Sequence, residues 1–195
     1  GCITNAINIA VFVRHGLRDS ISISFFALSI SDLVASLLLV PQSFLLLFSE
    51  SLPTTSYVDG MSITLLLAYY YAFFYDVSQI DTTFIAVLRC WCVALPFRFK
   101  DTFTRGKTTA MISVLSLACL SLHMPQLCTQ GLRGNKDPVH NLTRLIYWTS
   151  SNRDVIYSVR NTSGLVLTTL CQIVVCFCLV VLASNLRASL QFRNS

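Results

Sequence analysis

The sequence predicts an all-α fold: a polytopic bundle of membrane-spanning helices forming one domain over residues 1–195. Three observations predict it. Only 12% of the residues are charged and 54% are hydrophobic, whereas a soluble domain carries about 25% charged residues. Four stretches, 23–48, 61–92, 108–128 and 164–186, are apolar over something close to the roughly 20 residues that a bilayer crossing needs. The basic residues gather mainly in the short segments between these stretches.

Residues 1–13 form a fifth apolar stretch, shorter than a crossing by roughly half a dozen residues. It has neither an initial Met nor a basic segment ahead of it, as a signal peptide would. It therefore reads as a first helix truncated at its top, and the chain as a fragment of a longer membrane protein. The far end, "SNLRASLQFRNS", runs into water. The first connection, "RHGLRDS", is tight, and Gly16 permits its turn. In the stretch 23–48, Asp32 lies nearly midway. A carboxylate at that depth is expensive, so it marks function or a needed polar contact. Pro41 is expected to kink the helix.

Along 61–92, 100° per residue puts Tyr71, Tyr75, Ser78, Thr82 and Arg89 on one polar stripe. The stripe is read as facing a cavity in the bundle, with Tyr71 and Tyr75 as candidate ligand-pocket residues. The bland alternative is an aromatic and hydroxyl face packed on a neighbouring helix. Asp76 and Asp81 fall off the stripe, either protonated or paired with other helices. In 108–128, Ser113, Ser116, Ala118 and Ser121 suit close packing, Pro125 marks the upper end, and His123 reads as a hydrogen-bonded interior histidine. In 164–186 the polar interior candidates are Thr168, Thr169 and Gln172.

The net charge of +5 needs no nucleic-acid partner, because its placement fits membrane topology. Arg14 and Arg18 flank the first connection, and Arg98, Lys100, Arg105 and Lys107 crowd the third; the second, 49–60, holds Glu50 and Asp59 and no Lys or Arg. The positive-inside rule puts the first and third connections in the cytoplasm. The fourth, 129–162, carries five basic residues but also two acceptor sequons, at Asn141 and Asn161. These are glycosylated only on the lumenal side, which places that connection outside. Of the eight cysteines, none falls in a set of four at metal spacing, and "CWC" and "CFC" read as buried thiols acting as small hydrophobes. No pair for an extracellular disulfide is evident.

Several segments together resemble the rhodopsin-like (class A) family of G-protein-coupled receptors. Thr4-Asn5 is similar to the Gly-Asn pair of that family's first helix. "LSISDL", 28–33, resembles the second-helix signature with Asp32 as its acid. "IAVLRCWCVALPF", 85–97, resembles the third-helix Ile-Ala-x-Asp/Glu-Arg-Tyr signature and the proline that follows it, with Arg89 and Pro96 in matching positions. Ser78 matches a serine that the family places 11 residues before the arginine. The resemblance implies about five of seven helices in the chain, with Arg89 and Pro96 coupling to a heterotrimeric G protein. It implies a polar site at Asp32, Ser78 and Asn5 that in relatives holds an allosteric sodium ion, with no other cofactor and no catalysis. It implies a multi-pass plasma-membrane glycoprotein that receives an extracellular small molecule or peptide.

There are departures. Leu88 stands where the acid before the arginine is expected, and Cys90 replaces the tyrosine. Thr64 stands where a bridging cysteine is expected, and Ser116 lies near the place of the fourth-helix tryptophan. This divergence, with "GLRDSISIS" and "ALSISDL", is most similar to invertebrate, molluscan chemosensory receptors. Tyr71 occupies the place where amine receptors carry an aspartate, which argues against an amine ligand. The competing class is a secondary transporter, with Asp32, Asp76 and Asp81 as ion or proton sites; inverted repeats and matched Gly/Pro interruptions are absent from the sequence. An enzyme finds no nucleophile–base pair.

Overall fold

The computed structural model describes residues 1–48, 59–136 and 143–194. It is an all-α bundle carrying one small β-hairpin. The helices are α1 (Cys2–His15), α2 (Ser20–Phe48), α3 (Gly60–Ala94), the short α4 (Pro96–Thr102), α5 (Arg105–Cys128) and α6 (Arg153–Asn194). Between α5 and α6, β1 (Gln130–Lys136) and β2 (Thr143–Thr149) pair antiparallel, with Gln130 opposite Thr149 and Lys136 opposite Thr143. Four helices, α2, α3, α5 and α6, are long and apolar enough to cross a membrane.

The surfaces of these helices are inverted relative to a soluble protein. The buried residues of α2 are Ser20, Ile23, Ser24, Ser29, Ser31 and Ala35, while Leu37, Val40, Phe44 and Leu47 point outward. Small and hydroxyl residues let helices approach closely and bond across the contact. The outward apolar side chains suit a lipid surroundings, where their exposure costs nothing. On α6, Val155, Val159, Leu165, Ile173, Phe177 and Val180 likewise face out.

Both ends of the bundle are pinned by local chemistry. The chain turns from α1 into α2 through Gly16, at φ 80°, a conformation in which an L side chain is strained. Asp19 then caps α2, accepting from the Ser22 amide at 3.0 Å and its hydroxyl at 2.6 Å. Asp59 repeats the device on α3, accepting from the amide and hydroxyl of Ser62 at 2.8 Å each. Near α4, a hydrophobic cluster of Phe84, Leu88 and Phe103, backed by Phe99, Ile112 and Leu115, joins α3 to α5. The Ser20 hydroxyl donates to the Phe103 carbonyl and ties α2 to the same corner.

Two readings of the sequence change. The connection 129–162 is not an open loop: it holds the hairpin and the first turns of α6, which starts 11 residues before the apolar run 164–186. The inward positions of that early segment are Arg153, Ile156, Arg160 and Gly164, and the outward ones include Val155 and Val159. A charged inner face hid a helix that apolar periodicity could not flag. On α5, Ser113, Ala118 and Ser121 are exposed rather than packed. The buried line is Thr108, Cys119, His123 and Gln126, and the Ser121 hydroxyl satisfies itself on the Ala118 carbonyl at 2.7 Å.

Candidate functional site

The polar stripe of α3 divides into two neighbourhoods. Ser78 donates from its hydroxyl to the Asp32 carboxylate, joining α3 to α2. A charged acceptor met by a hydroxyl is how a half-buried acid is tolerated in a bundle. Beside it, Asp81 meets the Ser31 hydroxyl at 3.4 Å, so the two helices share two acid–serine contacts. Asn5 on α1 is half-buried, and its side chain forms no hydrogen bond to either residue among those described. Asp32 and Ser78 are thus brought together by a direct hydrogen bond; Asn5 is not gathered with them.

On the other flank of the stripe, Tyr75, Ser78, Gln79 and Thr82 line a groove of about 370 Å³ against Gln172 and Cys176 of α6. The Tyr75 hydroxyl accepts from Gln79 at 2.8 Å, and the Tyr71 ring packs against that of Tyr75 with centroids 5.9 Å apart. Tyr75 therefore borders a space able to take a small ligand, and Tyr71 supports it from one turn above. The groove is open at the surface between α3 and α6 rather than enclosed.

Arg89 lies 11 residues beyond Ser78. At 100° per residue this is about three turns plus 20°, so both occupy one face roughly 16 Å apart. The guanidinium is exposed and sits over the Phe25 ring, 5.1 Å from its centroid. Phe25 in turn stacks on Phe12 of α1 at 6.4 Å. Arg89 makes no ion pair among the described residues. Leu88 beside it is only 1% exposed, held in the hydrophobic cluster. Leu88 is thus a core residue. Pro96 opens α4 as its first residue, where a missing amide proton costs nothing.

The hairpin end carries a second polar assembly. The Tyr147 amide donates to the Ser62 hydroxyl at 2.8 Å, and the Asp59 amide to the Leu145 carbonyl at 3.1 Å. Tyr147 stacks on Tyr69 with ring centroids 6.4 Å apart, and Arg153 lies over the Tyr147 ring at 5.8 Å. Burial pushes the Tyr147 phenol up, so it stays protonated and donates to Gln130 at 2.6 Å. These contacts hold the hairpin on α3 without a covalent link. Thr64 is buried, its hydroxyl on the Gly60 carbonyl, and the described cysteines are all free. Of the two sequon asparagines, Asn141 lies outside the described residues. Asn161 is exposed on α6, beside a groove shared with Tyr69 and Tyr157.

Asp76 pairs with another helix and His123 is a hydrogen-bonded interior histidine, as the sequence allowed, but their joining through Arg160, in the interior between α3, α5 and α6, was not foreseen. Asp76 accepts from the Arg160 guanidinium at 2.9 Å, and the same nitrogen lies 2.7 Å from His123 Nε2. His123 Nδ1 is 3.0 Å from the Cys119 carbonyl. The legible signal was Cys119 and His123 at i, i+4, which places them on one helix face. Arg160 gave no signal because its segment read as a loop. Neither protein-family models nor curated proteins include a match to this chain.

Proposed function

We propose that the chain is a receptor of the rhodopsin-like, G-protein-coupled kind in the plasma membrane. It senses an extracellular small molecule or peptide, chemosensory in type, and passes the signal to a heterotrimeric G protein. The observation that carries this reading is the single face of α3 on which Ser78 bonds Asp32 in the bundle and Arg89 stands exposed at the basic end. A guanidinium is charged at every physiological pH and can exchange hydrogen-bond partners without losing that charge. Resting on an aromatic ring rather than a carboxylate, Arg89 is held weakly, since a cation–π contact at an exposed site is worth about 0.5–1 kcal/mol. A G protein offering carbonyl or carboxylate groups would outcompete it. The groove beside Tyr75 is the ligand site of this reading, and Asp32 with Ser78 would hold a sodium ion that favours the resting bundle.

The test uses the full-length protein at matched surface expression, with nucleotide exchange on co-reconstituted G proteins as the readout. Arg89→Ala is expected to abolish exchange, and Asp32→Asn to remove the sodium dependence of agonist affinity. Exchange that survives Arg89→Ala would sink the receptor reading. Substrate uptake driven by sodium or protons and lost in Asp32→Asn or Asp81→Asn would replace it with a transporter.

A further inference from the structure

We infer that Asp76, Cys119 and His123 form a binding site for a borderline-soft divalent metal, zinc by its chemistry, in which Arg160 is a tethered cation that the metal displaces. The three residues are buried, and one ligand atom from each lies within 4.8 Å of the others. His123 Nδ1 faces the Cys119 carbonyl, which can only accept, so Nδ1 carries the proton and Nε2 keeps its lone pair. That lone pair points at the Arg160 guanidinium, which donates to it through Nε at 3.1 Å and approaches it through a terminal nitrogen at 2.7 Å. The Asp76 carboxylate converges on the same terminal nitrogen. Two acceptors on different helices therefore aim at one cation. Their own separation, 3.5 Å from Nε2 to Oδ2, is close to the roughly 3.3 Å between two ligands on a tetrahedral zinc with bonds of about 2.0–2.1 Å. The thiol of Cys119 is the group that must move inward to complete three ligands, leaving a fourth position for water.

Charge balance permits the exchange. The present assembly of Asp76 and Arg160 with a neutral imidazole carries no net charge. Zinc held by one carboxylate, one thiolate and the imidazole carries none either, so no net charge is left in the bundle interior, where it would be costly. Cys119 gives up its thiol proton to solvent as the Zn–S bond forms. Arg160, on a long stem, moves toward the hairpin end. It already borders a groove of about 310 Å³ shared with Tyr69, Gln126 and Tyr157, which offers both an exit for the guanidinium and an entry for the metal. A mixed thiolate, imidazole and carboxylate set selects zinc over magnesium or calcium, which take oxygen ligands. The site stands apart from the Asp32–Ser78 pair and does not rest on coupling to a G protein.

Gly164 supplies an independent handle. A Cβ built there would fall inside the radius of an Arg160 guanidinium nitrogen, so Gly164→Ala pushes that flexible head aside while favouring the helix. The experiment takes the full chain, reduced, in lipid nanodiscs, and titrates cobalt(II) as a coloured probe, then zinc in competition. The wild type is expected to show a thiolate-to-cobalt charge-transfer band that saturates and is erased by zinc. Cys119→Ser should abolish that band. Gly164→Ala should tighten zinc binding by about tenfold, because a competing occupant reduces apparent affinity to the fraction of time the site is free. A band that persists in Cys119→Ser assigns the metal to other thiols and overturns the proposal. Zinc affinity unchanged or weakened in Gly164→Ala overturns Arg160 as the competitor. Should that variant not fold, the cobalt band in Cys119→Ser decides alone.

Discussion

Leu88 illustrates how one side chain can carry two meanings. In the receptor family that the sequence resembles, the position before the arginine carries a carboxylate. The place of Leu88, 1% exposed among Phe84 and Phe103, gives it a packing role that no neighbour in the sequence betrays. Leu88→Ala should therefore lower stability by about 2–5 kcal/mol, read as a fall in melting temperature in detergent with Arg89 untouched. Leu88→Glu should destabilise as well, because it buries an unpaired carboxylate. Asp76 and Arg160 form the matching case among charges, with side chains 9% and 14% exposed. Replacing either alone leaves a buried charge without its partner and should cost about 3–5 kcal/mol. The double change Asp76→Asn with Arg160→Gln should recover most of that in the same melt. That Asp32 needed a polar partner was legible from its depth, and Ser78 from its spacing to Arg89. The partner of Asp76 was not, because it lies 84 residues away on a segment too polar to read as a helix.

At the scale of elements, the caps and the hairpin set how the ends of the helices hold. Asp19 accepts two hydrogen bonds from Ser22, and the side-chain bond is the main cause that lowers its carboxyl below the ordinary carboxylate range. A lowered folded-state pKa means the cap stabilises at neutral pH and is lost as pH falls through that lowered value. Asp19→Ala should cost about 1 kcal/mol, seen as faster amide exchange over the first turn of α2 at neutral pH, with the difference from wild type vanishing in acid. Helices 23–48, 61–92 and 108–128 were readable to within a few residues because apolar length decides a crossing. The hairpin was not, since its strands alternate weakly and their register depends on Ser62 and Tyr69 of a distant helix. Tyr69→Ala should raise exchange in residues 143–149 while leaving α3 protected.

For the whole molecule, the inverted surface makes the bilayer a structural partner. Four serines of α2, and Asp76 and Asp81 of α3, face inward while leucines, valines and phenylalanines of α2 and α6 face outward, so the chain needs hydrocarbon around it to hold this arrangement. Cys128 is exposed at the hairpin end, which the proposed plasma-membrane receptor would present outside the cell. A membrane-impermeant maleimide applied to intact cells should label Cys128, read by peptide mass spectrometry; labelling only after permeabilisation would reverse the topology. The length of α6 adds one more consequence. Its 42 residues rise about 63 Å, roughly twice the hydrocarbon thickness of a bilayer. Its apolar run begins at Gly164, one turn past Arg160, so the Arg160 backbone lies near the boundary between water and hydrocarbon and its side chain reaches inward to Asp76 and His123. Membrane thickness then becomes a control on the protein: short-chain lipids should hydrate and loosen that contact, and long-chain lipids should submerge and tighten it, at a fraction of a kcal/mol per ångström of mismatch.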